Sequence, residues 1–182
     1  GTPLYLLDED RVRENCRRYA EAVRERVSCA AAIEYFNPYA LEILRRQRQK
    51  GGVFAKLPDL SLAGEGAAGF VELHCDDAVQ ALMALRILGE LAENNGGSAE
   101  NSWVARTELE SETLRHFRHA VPESVNSLID ERKRTHPGIT KLGSDMSVPN
   151  GKLLEVTEMY RRTLQEEDLQ YASWGHIGDN HI

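Results

Sequence analysis

Apolar residues recur at spacings of four and three through Val12, Cys16, Tyr19, Val23 and Val27, which places them along one face of a helix. Asp8 is its candidate N-cap, and Arg and Glu fill the opposite, solvated face. Ahead of it, Leu4 to Leu7 is short and apolar enough for a strand. Cys29 to Phe36 is small and apolar and reads as a second strand. Asn37-Pro38 breaks that run and starts a helix from Tyr39 to Lys50, which Gly51-Gly52 stops. The stretch from Val53 to Gly69, rich in Gly, Pro and Ala, reads as a loop. Phe70 to His74 alternates in the manner of a strand. Asp76-Asp77 then caps a helix from Ala78 to Glu93, whose Val79, Leu82, Leu85 and Leu88 keep the helical period.

The second half continues the alternation less regularly. Trp103 to Arg106 is a candidate strand, and Thr107 to Arg134 is helical in pattern, with Pro122 marking a break or a new start. Asp145 to Val148 is strand-like, Lys152 to Glu167 helical, and Tyr171 to Trp174 a last strand. Strands and helices with irregular connections point to an α+β fold. A mostly antiparallel sheet with helices on one face, in a small ferredoxin-like layout, is the expected architecture. The chain stops inside an apolar run at Ile182, which reads as a domain truncated at its C-terminal end.

Composition narrows the classes. The 182 residues are 41% hydrophobic and 28% charged, enough for a packed core and unlike a disordered chain. A net charge of −7 argues against a nucleic-acid partner. No apolar run is long enough to span a bilayer, and the N-terminus lacks a secretory pattern. Cys16, Cys29 and Cys75 are few, odd in number and scattered, which suggests reduced thiols, apolar filler and a cytoplasmic setting.

Three segments could carry chemistry. Gly175-His176-Ile177-Gly178-Asp179-Asn180-His181 places imidazoles, as metal ligands or proton acceptors, among glycines that permit close approach. In Phe117-Arg118-His119-Ala120-Val121-Pro122-Glu123, the planar fork of Arg118 suits a carboxylate. In Lys141-Leu142-Gly143-Ser144-Asp145-Met146-Ser147-Val148-Pro149, polar groups flank a short strand and could aim into a site. The remaining histidines, His74, His116, His119 and His136, read as packing or surface residues. Gly64-Glu65-Gly66-Ala67-Ala68-Gly69 precedes a strand instead of following one, so it is no dinucleotide fingerprint.

These segments, with Ala32-Ile33-Glu34-Tyr35-Phe36, Phe70-Val71-Glu72-Leu73 and Asp145-Met146-Ser147-Val148-Pro149, resemble the C-terminal, substrate-capping domain of FAD-linked oxidases. That group includes D-lactate dehydrogenases, glycolate oxidase subunits and D-2-hydroxyglutarate dehydrogenases. The resemblance implies residues 29–182 as the cap-like domain, FAD in the intact parent, a flavin-binding domain as partner and a small 2-hydroxyacid as substrate. It implies that Arg118 binds the substrate carboxylate, with Lys141 a candidate second cation. It makes His176 the active-site histidine or a ligand of a divalent metal such as zinc. The family's second histidine lies seven places on, one past Ile182, so His181 is not assigned as a ligand.

Residues 1–28 are set apart as a strand-helix segment of separate origin. Its opening, Gly1 to Tyr19, resembles the N-terminus of diaminopimelate decarboxylase, a pyridoxal-phosphate enzyme. A generous alignment puts Glu34 where that enzyme has its lysine, and a carboxylate cannot form the Schiff base. Three functions are thus in view: a capping fragment of a 2-hydroxyacid oxidoreductase, inactive alone; a non-catalytic α+β module that self-associates, as a homodimer; and a decarboxylase-related fragment.

Overall fold

The computed structural model describes residues 9–59, 66–98 and 101–182, with the side chains of residues 9–13 and 53 left aside. The candidate strand at Leu4 to Leu7 lies outside those residues. Eight elements follow in order: α1 (Glu9–Arg26), β1 (Ala30–Phe36), α2 (Pro38–Lys50), β2 (Ala68–Leu73), α3 (Ala78–Asn94), α4 (Glu108–Lys133), α5 (Leu153–Glu166) and β3 (Trp174–Gly175). A 3-10 turn at Gly52–Lys56 overlaps the start of the stretch read as loop.

The strands form one sheet in the order β2-β1-β3, antiparallel throughout. The α+β class read from the sequence is therefore present. The β1–β2 ladder pairs Ile33 with Val71 and Glu34 with Phe70, with an irregularity between Ala30 and Ala32. Successive side chains on a strand point to opposite faces. On one face, Ile33 and Tyr35 pack with Ala20 and Val23 of α1, Val27 just beyond it, Ala84 and Leu91 of α3, and Leu153 of α5. On the other, Phe36 packs with Ala40, Leu41 and Leu44 of α2 and with Phe117, Ala120 and Val121 of α4. Helices are thus shared between both faces instead of gathered on one. The physical reason is β1 itself: Ile33 to Phe36 are all buried, so both of its faces need a cover.

Helix ends follow side-chain chemistry. Asn37 caps α2 by accepting from Ala40 N at 2.9 Å, and its Oδ1 also accepts from Ser173 N at 3.1 Å. That second bond ties the segment before β3 to the start of α2. Asp77 caps α3, and Thr107 with Glu110 forms a reciprocal capping box on α4. Gly51, at φ 83°, stops α2 where an L side chain would be strained.

Four expectations change. Pro122 does not break the helical stretch from Thr107 to Arg134; α4 runs unbroken from Glu108 to Lys133, held by the Phe117, Ala120, Val121 seam. Trp103 to Arg106 is irregular, not a strand, although Trp103 packs on the α2–α4 cluster. Asp145 to Val148 is reduced to a single bridge, Ser147 with His181, flanked by reciprocal backbone bonds between Met146 and Ile182 at 3.0 and 3.1 Å. The run read as a last strand at Tyr171 to Trp174 extends as a strand only over Trp174 and Gly175.

Candidate functional site

A line of polar side chains crosses the α4-facing side of the sheet. Glu34 and Glu72 belong to neighbouring strands, with Glu72 paired to Ala32, two residues before Glu34. Both therefore point to the same face, the one that α4 covers. Arg118 projects from α4 between them. Its Nε lies against Glu34 Oε1, and its Nη1 donates to Glu72 Oε2 at 3.3 Å. The Glu34 side chain keeps 5% of its exposure, Glu72 36% and Arg118 23%. Glu72 also meets His74 Nε2 at 3.2 Å.

The C-terminal segment brings in the histidines. β3 pairs Gly175 with Tyr35 and leads into His176, whose Nδ1 lies 3.4 Å from Glu34 Oε1. Glu34 thus faces the Arg118 guanidinium on one side and the His176 ring on the other, without aligned hydrogen bonds to Oε1. A buried carboxylate is costly unless paired, so the Arg118 guanidinium is what makes Glu34 tolerable inside β1, with the His176 ring beside it. Next, the His176 and His181 rings stack, centroids 6.1 Å apart and 9° from parallel. His181 Nε2 contacts Asp145 Oδ1 across the Ser147–His181 bridge.

The glycines of this segment serve the chain's own packing. A Cβ on Gly175 would lie 2.6 Å from His181 O and from Ile182 Cα, and one on Gly178 would lie 3.2 Å from Ile33 Cβ. Close backbone approach is needed here for the turn to fold back on itself and onto β1.

The structure brings Arg118 and His176 together, through Glu34. It does not bring Lys141 to them. Lys141 Nζ donates to Asn126 Oδ1 at 3.1 Å. Asn126 lies two turns further along α4 than Arg118, about 12 Å along its axis. Glu34, Glu72 and Asn37 are the polar residues that the sequence reading passed over. The signal was there: a Glu inside each of two apolar strand runs, at positions that register pairing sets on one face.

The divalent metal expected at His176 is not supported. Among the described residues, no three His, Cys, Asp or Glu side chains gather as ligands of one ion. His176 and His181 stack side by side, each engaged with a different carboxylate, and do not converge as a zinc shell requires. The capped starts of α3 and α4 do not suit a flavin diphosphate. Asp77 and Glu110 put carboxylates at the N-termini of α3 and α4, where phosphate would need free N–H groups and no negative charge.

None of the helices, among the described residues, is long and apolar enough to cross a membrane. No curated protein matches the chain. The family model described as FAD linked oxidases, C-terminal domain, matches residues 9–182, and so takes in α1 as well as the sheet and the Arg118–Glu34–His176 cluster. The chain belongs to the FAD-linked oxidase family, as its C-terminal domain.

Proposed function

We propose that this domain caps the substrate side of an FAD-linked oxidoreductase acting on a 2-hydroxyacid of the D-lactate or glycolate type. The observation that carries the reading is the meeting of Arg118 and His176 on one buried carboxylate, Glu34. A carboxylate-binding fork and a proton acceptor are the two groups that a 2-hydroxyacid asks of its binding site. FAD, on the flavin-binding domain that the family implies, supplies the two-electron acceptor.

Within this reading Arg118 holds the substrate carboxylate. Glu72, the more exposed of its two partners, is the one the substrate displaces, while buried Glu34 keeps the guanidinium aimed. Glu34 beside His176 Nδ1 favours the tautomer protonated there, which leaves Nε2 to take the hydroxyl proton. Lys141 serves as a second cation only by leaving Asn126.

Mixing tests the reading. The purified chain alone is expected to be colourless and inert toward D-lactate or glycolate with a dye acceptor. Added to a flavin-binding domain of the family, it is expected to restore dye reduction. Turnover by the chain alone, or a mixture as inert as its parts, would contradict the proposal.

A second reading, self-association without catalysis, is favoured by one observation. Val79, Leu82 and Met83 form an exposed stripe on α3, each more than 60% exposed. Sedimentation over a range of concentrations tests it, and a monomer throughout counts against it.

A further inference from the structure

Cys29 and Cys75 lie far apart in sequence and together in space. Cys29 immediately precedes β1, and Cys75 follows β2 by two residues. The β1–β2 ladder continues past its last strand pair, with His74 N donating to Cys29 O at 2.8 Å. The two sulfurs are 3.2 Å apart, with the Cys75 thiol donating to Cys29 Sγ. Both residues are partly exposed and neither is bonded. A disulfide needs its sulfurs at about 2.05 Å, so closure asks for an approach of about 1 Å within side chains already facing each other.

We propose that Cys29 and Cys75 are a redox modification site that closes to a reversible intrachain disulfide on exposure to a hydroperoxide. This inference stands on the thiol geometry alone and is independent of the catalytic role suggested for Arg118 and His176. The chemistry balances with hydrogen peroxide as the oxidant. Cys29 sulfur attacks the peroxide, the O–O bond breaks, and a sulfenic acid and one water form. Cys75 sulfur then attacks Cys29 sulfur, the S–S bond forms, the S–O bond breaks, and the second water leaves with the Cys75 proton. Two thiols lose two electrons and two protons, and one peroxide becomes two waters.

The order of attack follows from the hydrogen bond. Cys75 keeps its proton as donor, because the bond to Cys29 Sγ pushes its thiol pKa upward, with burial and the acids Asp76 and Asp77 adding to the effect. Cys29 offers the acceptor sulfur. Cys16 is a built-in control. It packs into the α1 side of the core, and burial pushes its thiol up to about 12. It has neither the thiolate character nor a sulfur neighbour that oxidation requires.

The bridge would close β1, α2 and β2 into one covalent loop. Glu34 and Glu72, the two acids on Arg118, both lie on that loop. Oxidation therefore fastens the two strands that hold the arginine.

The test treats the full chain with about one equivalent of hydrogen peroxide near neutral pH, then counts thiols under denaturing conditions and maps peptides without reduction. Of three thiols, one is expected to remain, with a peptide joining Cys29 to Cys75 that dithiothreitol releases. Cys29→Ser and Cys75→Ser are expected to abolish the joined peptide, and Cys16→Ser to leave it intact. The oxidised chain is also expected to melt several degrees higher, a shift that dithiothreitol reverses. Thiols left intact, oxygen gained on either cysteine without a bridge, or dimers joined between chains would each overturn the proposal.

Discussion

The guanidinium of Arg118 rests against the carboxylate of Glu34, a residue buried in the middle of the three-stranded sheet, and this contact joins α4 to β1 by charge as well as by packing. The same helix-to-strand seam holds Phe117 over Phe36, ring centroids 5.0 Å apart. The arginine is therefore positioned by one of the best-packed parts of the fold, not by a loop.

Removing one partner of that pair should cost more than removing both. Arg118→Ala leaves a buried carboxylate with only His176 nearby, and is expected to destabilise by about 3 kcal/mol. That is the low end for a broken buried pair, because the arginine keeps 23% exposure. Glu34→Gln should cost less, since Arg118 retains Glu72. The double variant Glu34→Gln/Arg118→Ala should recover part of the loss, giving a coupling above about 1 kcal/mol in a urea double-mutant cycle. Strict additivity would show that the contact contributes nothing to folding.

Pro122 bears directly on Arg118. A proline cannot donate to the carbonyl four residues back, and in α4 that carbonyl belongs to Arg118. Pro122→Ala restores the missing bond and relieves the clash. Urea unfolding is expected to show a gain of up to about 3 kcal/mol. The cost should appear as a shifted Arg118 side chain and weaker carboxylate binding. A variant more stable than the parent with unchanged binding would mean that Pro122 has no part in aiming the arginine.

Gly175→Ala should disrupt the histidine turn. The added methyl would overlap the backbone of His181 and Ile182, which cannot yield as a flexible side chain would. The bridge between Ser147 and His181 should open, and the stability loss should fall at about 1–3 kcal/mol, as for other overpacked sites. Amide exchange at Met146, Val148 and Ile182 reads this out. Protection unchanged from the parent would contradict the packing role of this glycine.

Glu14 sets part of the acid response. The hydrogen bond from Arg17, with a further one from Arg18, holds its carboxyl down at about 2, against 4.5 without these partners. Because the folded-state value is the lower one, its stabilisation is present above pH 4.5 and is lost as pH falls from 4.5 towards 2. The three side chains remain partly exposed, so the contribution should be about 1 kcal/mol at most. Urea midpoints of the parent and of Glu14→Gln should differ at neutral pH and converge through that window. A constant gap down to pH 2 would rule the pairing out as the cause.

Much of the framework could be read from the chain. The apolar stripe from Cys16 to Val23 is the core face of α1, with Val27 packing just past its end, and Asp77 and Gly51 bound their helices as their chemistry demands. Other features depend on tertiary partners. Asn37 read only as a breaker, yet its side chain joins the start of α2 to the segment before β3. Pro122 read as a break, but a helix packed over the length of the Phe117–Val121 seam tolerates one missing bond. Glu34 was hidden in an apolar run, because its meaning comes from Arg118 and His176, which reach it only after folding. Asp145 to Val148 had the pattern of a strand but found only the chain's last residues as a partner.

The most direct measurement is a titration of the isotope-labelled chain with D-lactate and glycolate, following the Arg118 guanidinium and His176 ring signals by NMR. Saturable shifts at both residues, unmatched by propane-1,2-diol, which lacks the carboxylate, and lost in Arg118→Ala while the rest of the spectrum stays folded, are the expected result. Shifts that are absent, or that persist unchanged in Arg118→Ala, would contradict the assignment of this cluster as the substrate-binding face.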